Sequence, residues 1–327
     1  MDGRAGGTER ALRRLLSRRG LLAGAGLVGG GAALAACGGD DGLPGGSGAP
    51  PPTDPTPIAG SDVLSPTRVT YGDDPSQWAD LYRPAPGAGG AGAAPSKGVV
   101  VVIHGGFWQA AYDATLGAPL ALSLAENGWT AWNLEYRRVA GRSTDGGGGG
   151  YPTTFDDVAA GIDALADVAE LTDAERACVL TLGHSAGGHL AAWAAARGRF
   201  ARWSPERVPV TGVVSQAGVL DLTEAAGAAF GRDPVLSLMG VEPAADPTAY
   251  DEADPTRHLP LGVPVRCVHG SSDTIVPPSQ SSTYVERAVA AGDDATLTEV
   301  EGDHFVVIDE ASAAWQETLA LLEGLRP

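Results

Sequence analysis

Lysine is almost missing from this chain: Lys97 is the only one in 327 residues. With the alanine- and glycine-rich runs, that scarcity points to a GC-rich genome. Positive charge is scarce as a whole. Twenty-two Lys+Arg stand against 40 Asp+Glu, a net charge of −18. So acidic a surface repels phosphate backbones, which argues against nucleic acid as a partner and disfavours strongly anionic substrates. Cysteine is sparse too, and three cysteines make no disulfide framework. Cys178 and Cys267 sit in apolar, strand-like runs and read as buried structural thiols. No cysteine pair stands at ligand spacing and no HExxH occurs, so no metal site is expected, and the acidic run 246–254 reads as a solvated loop. The phosphate-cradling pattern GxxxxGK[ST] is also absent. The five consecutive glycines at 146–150 are therefore a loose loop at the rim and hold no ligand.

What is present begins with an address. Residues 1–19 carry Arg13, Arg14, Arg18 and Arg19, and residues 20–36 then carry no charge. That run is too short and glycine-rich for a stable membrane span, and has the form of a secretory signal. Ser17-Arg18-Arg19-Gly20-Leu21-Leu22 resembles a twin-arginine export motif, and Leu34-Ala35-Ala36-Cys37 resembles a bacterial lipobox. By that resemblance, 1–36 is removed and a lipidated Cys37 becomes the first mature residue, anchored in the outer face of the cytoplasmic membrane. Residues 1–36 hold six arginines against Asp2 and Glu9, so the remainder stands at −22. Residues 37–65 are Gly, Pro, Ser, Thr and Asp in the main and read as a disordered tether.

Residues 66–327 form the body, with 43% of the whole chain hydrophobic and enough length for one sizeable core. Strands are expected at 67–71, 78–82, 98–103, 129–135, 177–182, 210–215, 264–269 and 296–300. Helices are expected near 115–127, 154–169, 187–197, 279–291 and 311–324. Continuous β-branched runs such as VVVVI belong to strands buried on both faces, the parallel-sheet situation. The alternation predicts an open α/β sheet with helices on both faces, whose ligands gather at the carboxyl ends of strands. Residues 218–262 break the alternation with Pro, Asp and Gly. They read as a rim insertion that either caps the site or is a surface excursion without a role.

The strand ends carry the chemistry. Gly183-His184-Ser185-Ala186-Gly187 fits GxSxG between a strand and a helix, a turn that exposes the serine hydroxyl and frees the Ala186 N–H. His104-Gly105-Gly106-Phe107-Trp108 follows another strand. Its small residues allow the backbone at Gly105, Gly106 and Phe107 to form an oxyanion hole with Ala186. His104 itself reads as a turn-stabilising group. Asp273 follows the strand at 264–269 and His304 follows the last strand, which yields the chain order Ser, Asp, His. Ser185 is then the nucleophile, His304 the base and Asp273 its orienting acid. Asp221 and Glu224 are rival acids, and Asp303 is expected to point elsewhere. Phe107 and Trp108, with Tyr112 and Tyr151 as weaker candidates, are expected to line the substrate site.

Together these residues resemble the α/β-hydrolase superfamily over about 66–325, nearest its esterase/lipase and kynurenine-formamidase-like branch. The likeness rests on HGGFW, NLEYRR at 133–138, YPTTFDDVAAGIDAL at 151–165, GHSAGG and GDHFVVID at 302–309. It implies an eight-stranded, mostly parallel sheet, no cofactor and a Ser/Asp/His triad. Phe107 stands where the hormone-sensitive-lipase pattern has a third glycine. The expected activity is cleavage of a small carboxylic ester through an acyl-serine. The alternatives are an arylformamidase-like amide hydrolase and a catalytically silent binding protein on the same fold.

Overall fold

A computed structural model of the protein describes residues 58, 61, 63–85, 96–139 and 148–327. The export signal, Cys37, most of the tether and part of the glycine run lie outside the described residues. The last residues of the stretch read as a tether pack on the body. Val63 is fully buried and bridges to Pro84, and the Leu64 amide donates to the Arg83 carbonyl at 2.9 Å.

All eight expected strands form: β1 (Thr67–Thr70), β2 (Trp78–Tyr82), β3 (Val99–Ile103), β4 (Thr130–Leu134), β5 (Val179–His184), β6 (Gly212–Gln216), β7 (Val265–Gly270) and β8 (Ala295–Val300). They make one sheet in the order β1-β2-β4-β3-β5-β6-β7-β8. β2 runs antiparallel to both its neighbours, and every other pairing is parallel. β3 is central, and each of its five residues is buried. Its side chains alternate between two cores, as the pleat demands. Val99, Val101 and Ile103 join Phe155, Leu190 and Trp193 on one face. Val100 and Val102 join Leu120, Leu124 and Trp315 on the other.

The helices in chain order are α1 (Ala118–Glu126), α2 (Thr153–Asp163), α3 (Asp173–Arg176), α4 (Ala186–Ala194), α5 (Leu222–Gly227), α6 (Arg232–Met239), α7 (Pro247–Ala253), α8 (Ser279–Ala291) and α9 (Ala313–Gly324). α4 is buried on every side, and its sequence AGGHLAAWA has no charged face to offer water.

The rim insertion is more ordered than its composition suggested. It holds α5, α6, α7 and a 3-10 turn at Pro255–His258, and Leu222, Val235, Leu238 and Tyr250 enter the same core as the sheet. The Asp and Pro residues that made it look like a loop are helix starts. Asp221, Asp246 and Asp254 each accept from a backbone N–H as an N-cap, and Pro247 and Pro255 stand in first turns. Asp254 is fully buried and takes the amide and hydroxyl of Thr223 at 3.1 and 3.0 Å and those of Thr256 at 3.1 and 2.6 Å. One carboxylate thus joins α5 to the segment after α7. Asp254→Ala is expected to cost about 2 kcal/mol. Amide exchange should accelerate in 222–227 and 254–258 while the strands stay protected. Uniform acceleration, or none, contradicts this clasp.

Candidate active site

One residue separates β5 from α4. Ser185 takes φ 55° and ψ −119°, a conformation that costs a non-glycine residue about 1–3 kcal/mol. Close backbone approach holds it there. A Cβ on Gly183 would lie 2.0 Å from the Gly187 carbonyl oxygen, and one on Gly187 would lie 2.0 Å from that of Ile103. Only hydrogen fits at either position, so α4 can start directly over the ends of β3 and β5. The Ser185 N–H donates to the Gln216 carbonyl of β6 at 2.8 Å, which clamps the turn to the next strand.

The turn after β3 leans on this elbow. A Cβ on Gly105 would meet the His184 carbonyl oxygen at 2.7 Å and the Ser185 Cβ at 3.2 Å. Gly106, Phe107 and Trp108 follow with φ of 112°, 58° and 56°. Two consecutive non-glycine residues in the left-handed region need support. It comes from a buried group behind them. His104 stacks on Tyr136 with ring centroids 4.4 Å apart, and the Tyr136 hydroxyl donates to the His104 carbonyl at 2.8 Å. His104 Nε2 lies 3.2 Å from Glu135 Oε1, as does Arg138 Nε. Burial would raise the Glu135 carboxyl, but His104, Arg138 and the Ala114 amide outweigh it and hold it below its usual range. His104 is therefore a holding group, in line with its expected role. Among the described residues, the amides of Gly106, Phe107 and Ala186 make no hydrogen bond, so they remain open to a ligand oxygen.

Asp273 and His304 meet as expected. His304 Nδ1 is 2.6 Å from Asp273 Oδ2, and the other carboxylate oxygen accepts the amides of Ile275 and Val276 at 2.8 and 3.0 Å. Burial would raise the Asp273 carboxyl, yet hydrogen bonds from His269 and His304 and the charge of His304 hold it well below the usual range. The rival acids are engaged elsewhere. Asp221 caps α5 and pairs with Arg287 at 2.7 Å, and Glu224 meets the Gln280 amide. Asp303 accepts the Phe305 amide at 3.0 Å and turns away. Ser185 is brought alongside through its neighbour: His184 Nε2 lies 2.9 Å from the His304 carbonyl, and the two rings are 4.5 Å apart. The Ser185 hydroxyl makes no hydrogen bond among the described residues. Such contacts often tighten only once substrate is bound.

Ser185 and Ala186 open onto a pocket of about 280 Å³, its open mouth included, walled by Phe107, Trp108, Val219, Phe230, Pro234, Val235, Ile275 and Val276. Phe107 and Trp108 stand where the sequence suggested. Tyr112 and Tyr151 are outside this lining, a correction to their candidacy. Tyr112 lies behind the turn, where a Cβ on Gly106 would strike its ring at 2.6 Å, and the Tyr151 hydroxyl is taken up by Glu252. Phe230 and Val235 come from the insertion, Phe230 from the turn before α6 and Val235 from α6 itself, and nothing in their local pattern says which way either side chain looks. His269, Glu135 and Arg138 also escaped notice as site residues. Their one sequence signal is a polar group at or just beyond the end of an expected strand.

The sheet order and the serine elbow define an α/β-hydrolase. Residues 80–287 match the model of the BD-FAE family, and the chain belongs to that family. It is 28% identical over 239 residues to Esterase LipC of Mycobacterium tuberculosis, covering 67% of this chain and 54% of that protein. It is 26% identical over 249 residues to the isoprenylcysteine alpha-carbonyl methylesterase ICME of Arabidopsis thaliana, covering 72% of this chain and 55% of that one. The chain thus spans just over half the length of these two relatives. Among solved structures, Esterase B from Lactobacillus rhamnosis superposes with a TM-score of 0.67 at 22% identity, over 81% of this chain and 85% of that one.

Two histidines near the site, His189 fully buried and His184 half-buried, set a stability prediction. Burial, reinforced at His184 by neighbouring His304, pushes His184 down from 6.5 to about 3, and burial pushes His189 down to about 4. Between those values and 6.5 the unfolded chain binds more protons than the folded one, so stability falls as pH drops through that window. His189→Gln should flatten the fall of Tm between pH 6.5 and 4.5. An unchanged slope rules His189 out as a contributor.

Proposed function

We propose that this chain is a serine carboxylesterase, exported and held at the outer face of the cytoplasmic membrane through a lipidated Cys37. One observation carries the catalytic half: the Asp273–His304 bond of 2.6 Å stands beside a left-handed Ser185 that faces an apolar pocket. Ser185 Oγ attacks the ester carbonyl while His304 Nε2 takes its proton. The oxyanion is received by the open amides of Ala186 and the 105–107 turn, which act on charge present only in the transition state. Collapse expels the alcohol, protonated by His304, and leaves an acyl-serine. Water activated by the same imidazole then releases the acid. Asp273 stays ionised throughout and stabilises the imidazolium.

The pocket is small and walled by apolar side chains, which supports a short acyl group. The esterase names of the relatives and of the superposing structure support ester over amide. The anchor is supported by Arg18-Arg19, the apolar run and Leu34-Ala35-Ala36-Cys37.

Purified protein is expected to hydrolyse p-nitrophenyl acetate and butyrate faster than the octanoate, and any of these faster than N-formyl-arylamines. Ser185→Ala should lose about 10⁴-fold or more in kcat and all labelling by a fluorophosphonate. Well-folded wild-type protein that takes no label is instead a binding protein, and a faster formamide arm moves the substrate class to amides. Separately, an alkyne-palmitate fed to producing cells should label the full chain and leave Cys37→Ser unlabelled. Equal labelling of both removes the anchor.

A further inference from the structure

His269 ends the run of β7 side chains that face the core and is fully buried. A buried imidazole is costly unless both nitrogens are used. Its Nε2 lies 3.1 Å from Asp273 Oδ2 and 3.0 Å from the Val276 carbonyl, and its Nδ1 lies 2.7 Å from the Ser281 hydroxyl on α8. Two acceptors converge on Nε2, so the proton sits there, and the Ser281 hydroxyl donates to Nδ1. The ring is thus fixed in one tautomer by groups on two other elements.

The acceptor capacity of Asp273 shows what this does. A carboxylate offers about four lone-pair positions. Oδ1 receives Ile275 N–H and Val276 N–H, and Oδ2 receives His304 and His269. Without His269, Oδ2 keeps one partner, His304, and the carboxylate can turn about its Cβ–Cγ bond. The same Nε2–H reaches the carbonyl of Val276, whose side chain walls the pocket. Ser281 is close enough to Cys267 to hydrogen-bond its thiol, and burial pushes that thiol up to about 12, so it stays neutral. The ionisable groups facing this cluster are Asp273 on the β7–α8 loop, His184 at the end of β5, His304 after β8, Cys267 on β7 itself and Tyr284 on α8.

We propose that His269 is a positioning residue for the reaction: its Nε2–H shares Asp273 Oδ2 with His304, which fixes the rotamer of the acid and divides its negative charge between two imidazoles. This rests on the serine-hydrolase reading above. The shared charge has a consequence that packing alone does not. Remove the second donor, and the whole carboxylate charge bears on His304 and favours its protonated form. The acid limb of the rate profile then moves to higher pH, and loss of orientation lowers kcat with little change in KM.

The test compares full-length wild type, His269→Phe, His269→Gln and Ser281→Ala. Gln keeps an N–H donor near the position of Nε2, and Ser281→Ala frees the ring while leaving it in place. His269→Phe should lose about tenfold or more in kcat, with the acid limb displaced upward. Gln should restore most of both, and Ser281→Ala should show a weaker shift of the same sign. In parallel, the far-downfield proton resonance of the Nδ1–H between His304 and Asp273 should shift or broaden in His269→Phe. This readout needs no turnover. A His269→Phe protein with a lower Tm but the wild-type pH profile and an unmoved resonance makes His269 a packing residue and overturns the proposal. Wild type that fails the fluorophosphonate label while the resonance still responds to His269 sinks the esterase reading and leaves the positioning contact standing.

Discussion

The approach of α4 to the sheet governs everything at the rim. With only hydrogen on Gly183 and Gly187, the first turn of the helix packs directly against Gly183 of β5 and the Ile103 carbonyl of β3, and Ser185 is forced over the strand ends. That strain is local, and its restraint comes from the whole fold. β6 holds the Ser185 amide, β3 supplies the turn that leans on it, and the fully buried body of α4 gives the helix no other place to sit. A helix with a polar face could drift outward and relax the serine. AGGHLAAWA cannot do so without exposing its apolar surface.

Two buried polar clusters complete the rim, and they follow the same logic from opposite sides. Behind the 104–108 turn, Glu135 gathers His104, Arg138 and backbone amides. At the other wall, Asp273 gathers His304, His269 and two amides. In each case a carboxylate that burial alone would neutralise is kept ionised by saturating its acceptors. Each carboxylate is held by several donors from different elements. The insertion adds the apolar wall. Its Phe230 and Val235 line the same pocket as Ile275 and Val276, so part of the pocket wall comes from a segment outside the sheet repeat, while Ser185, Asp273 and His304 are placed by the sheet itself.

Much of this was legible in the chain. All eight strands and the longer helices that cover them were marked by β-branched runs and alanine-rich periodicity, with strand edges misplaced by a residue or two and helix edges by as many as six. The GxSxG and HGG turns, and the acid and histidine after β7 and β8, followed from one rule: chemistry sits at strand ends. Three things were not legible. The insertion was read as loop because Asp and Pro signal both turns and helix starts, and only the following buried face separates the two. Tyr112 and Tyr151 looked like pocket residues from their closeness in sequence to the strand ends, but a side chain's direction depends on what packs beside it. His269 looked like a core histidine, and it is one. That it also reaches Asp273 depends on how the loop from Ser271 to Val276 folds back over β7.

Local chemistry alone determined which residues are strands and which polar groups stand at strand ends, because propensity acts over a few neighbouring residues. Tertiary structure alone decided which second ring shares the Asp273 carboxylate and which wall closes the pocket. Those outcomes depend on distances between residues scores of positions apart, set by the order and register of the strands, and no local pattern encodes them.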